Sequence, residues 1–114
     1  MPEQSINALH VVAEAVRAVV ERDDERLSAL AADAADLYLW TRDHGLYGEV
    51  ELVIPPGAPS DWNIDWIDRH DGSKHVAVPM WTQQEGRSDL TLELELHVDE
   101  AGRWQARVLD LHVL

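Results

Sequence analysis

The chain predicts an α+β fold, with two or three N-terminal helices packed on one face of an antiparallel sheet of four to six strands. Three observations predict it. Apolar residues recur every three or four positions in the first part of the chain, and every second position after Gly48. The helix-type segments come first and the strand-type segments follow, an order that sets helices against a sheet rather than between its strands. The clearest strand, Leu90-Thr91-Leu92-Glu93-Leu94-Glu95-Leu96, alternates leucine with polar residues. That pattern belongs to a sheet with one packed face and one wet face.

The elements follow in order. Residues 4–21 carry Ile6, Leu9, Val12, Ala13, Val16, Val19 and Val20 as one apolar stripe, with Ser5 as the expected N-cap. A second helix starts near Asp23, where Asp23-Asp24-Glu25 sets negative charge at its positive end. Leu27, Leu30 and Ala31 form its apolar side. Ala32–His44 is also helix-prone, with Leu37, Leu39 and Trp40 as its heavier residues and Gly45 as its stop. Residues 24–44 read equally as one helix or as two, with Asp33 or Asp36 capping a separate short one. Glu49–Ile54 alternates as a strand and stops at Pro55-Pro56. Trp62, Ile64 and Trp66 alternate with Asn63 and Asp65. Asp71-Gly72 signals a hairpin. Three strands then follow, His75–Thr82, Asp89–Val98 and Arg103–Leu114, separated by turns at Gln83–Ser88 and Asp99–Gly102.

Length and composition bound the rest. One domain over residues 1–114 is expected, large enough for a core without staples. There is no cysteine, which excludes disulfides and thiolate metal sites. Nine basic against 22 acidic residues give a net charge of −13. The bases are scattered among acids, so no patch exists to neutralise phosphates. Neither nucleic acid nor an anionic membrane is an expected partner. No export signal, lipidation signal or membrane-length run is visible, so a cytoplasmic location is expected.

The order of helices and then a long, curved antiparallel sheet resembles the nuclear transport factor 2-like (cystatin-like) fold. The stretch Val78–Leu94 and the ending Asp110-Leu111-His112-Val113-Leu114 are similar to a family of small, mostly actinobacterial proteins of unknown function. The resemblance implies a fold and brings no established activity. The fold hosts isomerases, dehydratases, polyketide cyclases and plain binding modules.

Several residues are candidates for chemistry. In the turn Gln84–Asp89, Gly86 supplies a positive φ, Arg87 has Glu85 and Asp89 as ion-pair partners, and Ser88 can bond the backbone. With Trp81 beside it, Glu85, Arg87 and Asp89 also form a candidate binding loop, in which Arg87 would clamp a carboxylate or phosphate. Asp110 and His112 share a face of the last strand. In a cavity between sheet and helices they would serve as a general base and its orienting partner; on the outer face they are solvated side chains. Tyr38 and Tyr47 are secondary candidates for that cavity. The apolar parity changes near Val108–Leu109, which calls for a bulge or for burial by a partner.

Trp40, Trp62, Trp66, Trp81 and Trp104 supply the aromatic bulk in a chain without phenylalanine; core or dimer packing is their expected role. The histidines at positions 10, 44, 70, 75, 97 and 112 show no metal-ligand spacing, so no metal or cofactor is expected. The functional expectation is a non-catalytic module that holds a protein partner through its sheet and the Glu85–Asp89 loop. Homodimerisation through the open sheet face is part of it. Glu93 and Glu95 would then oppose their copies across the two-fold axis unless Arg103 or Arg107 intervenes. The alternative is a small-molecule enzyme or carrier using the cavity, with Asp110 and His112 as acid and base.

Overall fold

A computed structural model describes residues 3–31, 37–42 and 49–113, with the backbone only for residues 3–6 and Trp40. The expectations for Asp33, Asp36, Gly45 and Tyr47, and for the side chains of Ile6 and Trp40, fall outside the described residues. The fold is α+β: one main helix lies on an open antiparallel sheet of five strands. The covering helices are thus fewer than expected.

Helix α1 is Glu3–Glu21. Ser5 lies inside it and is therefore not its N-cap. Val12, Ala13, Val16 and Val19 are buried as the spacing implies, and so are Ala8, Ala15 and Ala18. Those alanines let the helix backbone sit close to the sheet, where a larger side chain would find no space. The helix stops at Arg22, which adopts φ 54°, and Asp23 donates its N–H back to the Ala18 carbonyl at 3.1 Å. Asp23 then caps α2 (Asp24–Ala29), accepting from the Arg26 N–H at 3.2 Å. Ala31, at φ 58°, lies beyond the end of α2, so residues 24–44 do not form one helix. Helix α3 (Leu39–Arg42) is a single turn. Its Leu39 is exposed, while Leu37 and Tyr38 just before it are buried.

The strands are β1 (Leu52–Val53), β2 (Asp65–Asp68), β3 (Lys74–Thr82), β4 (Gly86–Val98) and β5 (Trp104–Val113). Strand β3 pairs with β4 and β4 with β5, while β1 and β2 share the other edge of β3 end to end. Pro79, with no N–H to offer a ladder, falls in the gap between them. Two expected strands are shorter than the alternation implied. Glu49–Ile54 pairs only at Leu52 and Val53. Trp62 closes a 3-10 turn (Pro59–Asp61) and Asn63 takes φ 56°, so regular pairing starts at Asp65. Trp62 is buried and Trp66 half exposed, so the two do not share a surface.

The inner face of the sheet carries Val76, Val78, Met80, Leu90, Leu92, Leu94 and Leu96, all fully buried. Each such leucine contributes about 1.5–3 kcal/mol by leaving water. On β5 the inward residues are Trp104 and Val108 and then, after a parity change, Leu111. The cause is a bulge. Glu93 pairs with Asp110 and Leu94 with Val108, which leaves Leu109 unpaired and exposed. The Val108 N–H donates to the Leu30 carbonyl at 2.8 Å, tying the end of α2 to the bulge.

Candidate functional site

The bulge decides where the C-terminal candidates go. By returning Leu111 to the core it sends Asp110 and His112 to the outer face, away from α1. The expectation of a cavity-lining acid–base pair is corrected accordingly. Asp110 spends a carboxylate oxygen on the Leu111 N–H at 2.9 Å. His112 instead finds Glu93, at 2.7 Å from Nε2 to Oε2.

Glu93 is the centre of the outer face. It lies opposite Ala77 on β3 and Asp110 on β5. Two histidines reach it diagonally: His112, opposite Thr91, and His75, opposite Glu95. His75 Nε2 lies 3.0 Å from Glu93 Oε1. Beyond His75 stands Arg69, from the β2–β3 turn, at 3.0 Å from His75 Nδ1 and 2.9 Å from Glu95 Oε2. The result is an unbroken polar chain across the sheet: Glu95, Arg69, His75, Glu93, His112.

The partners fix the protons. A guanidinium only donates, so His75 Nδ1 accepts from Arg69 and Nε2 donates to Glu93. His112 faces acceptors on both sides, the Val113 carbonyl at 3.3 Å from Nδ1 and the Glu93 carboxylate at Nε2. Protonated on both nitrogens, as an imidazolium, the ring donates to both. Burial disfavours that charge, but the hydrogen bond to Glu93 and the nearby carboxylates outweigh it and raise the His112 pKa. For Glu93, burial pushes upward, while the hydrogen bonds and charge of the two imidazoles pull it below its ordinary value. The chain of five groups sets two carboxylates against one guanidinium and two imidazoles. Every ring nitrogen in it has a polar partner within the chain.

The loop candidates lie on the same side of the sheet, farther along β3 and β4. Trp81 is half-buried and stands directly opposite Arg87, which is exposed. Gly86, at φ 72°, lies under the Trp81 ring, where an added Cβ would meet the ring at 3.6 Å. The turn is tied at Glu85, whose N–H donates to Thr82 Oγ1 at 3.0 Å. Ser88 bonds the backbone as its type implies, donating to the Met80 carbonyl at 2.9 Å and accepting from the Leu90 N–H. Asp89 is exposed beside it, where the β3–β4 register shifts. This loop and the histidine array are separated by Pro79 and Thr91, and Thr91 is buried although it points outward.

Tyr38 is occupied elsewhere. Its hydroxyl donates to the Val19 carbonyl at 2.6 Å, and Arg22 lies over its ring at 4.0 Å. Burial pushes its pKa up to about 12, so it serves the end of α1 rather than any proton transfer. His10 is exposed beside Glu14.

The sequence reading missed Arg69 and His75 as site residues and gave Glu93 only a wet-face position. Strand parity placed Glu93 outward. The diagonal contacts depend on register, which residue types alone do not specify.

Among the described residues no cluster of His, Asp and Glu could hold a metal ion, and no helix is long and apolar enough to cross a membrane. A family model, a domain of unknown function named DUF7668, matches residues 16–114. The chain belongs to the DUF7668 family. No curated protein and no solved structure matches it. The DUF7668 match agrees with the resemblance to an uncharacterised family and carries no activity.

Proposed function

We propose that this DUF7668 domain is a non-catalytic interaction module whose outer sheet face, with the Glu85–Asp89 loop at one end, docks a protein surface. The first such surface is a second copy of the same chain. The internally paired array carries this reading. Covering a carboxylate is expensive when it is unpaired, and Glu93 and Glu95 already have partners in His75, His112 and Arg69. The anticipated clash across a two-fold axis is thus met within each chain, by Arg69 and the histidines rather than by Arg103 or Arg107.

Apolar groups flank the array. Ile67 is 58% exposed on β2, and Ala77, Pro79 and Trp81 run beside it on β3. Charge also favours a second copy here. The face and its loop hold Arg69, Arg87 and Arg107 against Asp65, Glu85, Asp89, Glu93, Glu95 and Asp110, three bases against six acids. Most of the chain's charge of −13 therefore lies elsewhere. The same reading keeps the nuclear transport factor 2-like resemblance, a fold in which the uncovered sheet face is a common pairing surface, and a cytoplasmic location.

Sedimentation velocity from micromolar to millimolar chain tests it. A monomer–dimer equilibrium is expected, weakened several-fold by Arg87→Ala at the loop. Monomer throughout the range would sink the proposal.

A further inference from the structure

On the helix side of the sheet, away from the histidine array, a cleft of about 430 Å3 opens between the N-terminal half of α1, the 3-10 turn and the inner side of β2. That is the size of a small-molecule site. Its walls include Pro59, Ile64 and Trp66, and Trp66 is left 40% exposed there although it is the largest apolar side chain on its strand. Asn63, also in the wall, holds a left-handed backbone at φ 56°, an unusual conformation that turns the chain toward β2. The charged members are Asp68 and Lys74, which form an ion pair across the β2–β3 register.

The two charges are held unequally. The Lys74 side chain is 23% exposed, sits on a strand paired on both edges, and has its ammonium 5.6 Å from the centre of the Trp104 ring. The Asp68 side chain is 78% exposed on an edge strand. The cation is fixed, while its carboxylate can swing into water at small cost. A ligand carboxylate can take the place of Asp68 without moving Lys74. The cleft's remaining walls suit a flat apolar body against Trp66 and Ile64.

We propose that this cleft binds a small aromatic carboxylate, with its ring against Trp66 and its carboxylate on Lys74. The site is independent of the outer-face pairing, since the two use opposite sides of the sheet.

The test is a titration of the 15N-labelled chain with indole-3-acetate, and with tryptamine as the same ring bearing a cation. Indole-3-acetate is expected to shift the amides of Ile64, Trp66 and Lys74 and the Trp66 indole N–H. Tryptamine should bind more weakly. Lys74→Gln should weaken indole-3-acetate about tenfold by removing a charge-assisted hydrogen bond. Asp68→Asn, a change at an exposed residue that leaves the fold intact, should tighten it several-fold by removing the competing carboxylate. Unmoved resonances at millimolar indole-3-acetate would overturn the proposal. So would equal or tighter binding of tryptamine, or weaker binding by Asp68→Asn.

Discussion

The two faces of one sheet are held by different physics. On the inner face, Leu90, Leu92, Leu94 and Leu96 are fully buried with no polar partner to find. Their contribution is removal from water, which is non-directional and tolerates small shifts. On the outer face of the same strand, Glu93 and Glu95 are fixed by three neighbours from other segments, each at hydrogen-bond distance. That contribution is directional and disappears when one partner moves. The inner face therefore sets how stable the fold is, and the outer face reports whether its register is right.

The largest expected effect breaks the inner side. Leu92→Ala removes a fully buried side chain at the middle of β4 and should cost about 2–5 kcal/mol, read from the urea midpoint. The outer counterpart, Glu93→Ala, should cost less, about 1–2 kcal/mol, because it strands the N–H groups of two partly exposed imidazoles. If Glu93→Ala proved as costly as Leu92→Ala, the division between the faces would be wrong.

The outer face also has a pH signature that the inner face lacks. Glu93 is held below its ordinary value of 4.5, so its contribution is present above that value and is lost as pH falls through the lowered one. His112 is raised above 6.5, so its contribution is present below 6.5 and is lost as pH rises through the raised value. The pair therefore stabilises most between those limits. Urea midpoints of the wild type should fall on both sides of that window, and Glu93→Gln should flatten both slopes. Leu92→Ala should lower the whole curve without changing its shape. An unchanged pH profile in Glu93→Gln would remove the assigned charges.

Much of this difference was legible in the residues. The alternation of Leu90–Leu96 separates the two faces correctly, and the change of parity at Val108–Leu109 marks the bulge that the β4–β5 register contains. What the parity change did not say was which side Asp110 and His112 would take. That depends on whether the bulged residue precedes or follows the inward Val108, a matter of one position in the register. Arg69 was invisible for a similar reason. It stands 26 residues before Glu95 in sequence and meets it only because its side chain reaches from the β2–β3 turn past His75 to β4. Among the described residues only α1 is a long helix over the sheet, and the helix-prone stretch 24–44 contains two short ones, Asp24–Ala29 and Leu39–Arg42. The left-handed Ala31 just beyond α2 carries no turn residue to warn of it. The expected apolar stripe of α1 includes Ala13 among larger residues, and the further buried alanines Ala8, Ala15 and Ala18 mark how closely the helix approaches the sheet.

The smallest expected effect is the sharpest for the proposed pairing. Ile67→Asp changes an exposed residue of edge strand β2, opposite His75 on the outer face. In a free chain it should move stability by no more than about 0.5 kcal/mol, since it fills no cavity and leaves no group unpaired. Binding of a second copy to the folded state alone adds stability that grows with concentration. The wild-type midpoint should then climb as the chain is concentrated, while that of Ile67→Asp stays level because a carboxylate now stands in the apolar flank of the interface. Leu92→Ala should instead fall below the wild type at every concentration. Parallel curves for Ile67→Asp and the wild type would leave the outer face wet, and the paired array would then serve only to hold three strands in register.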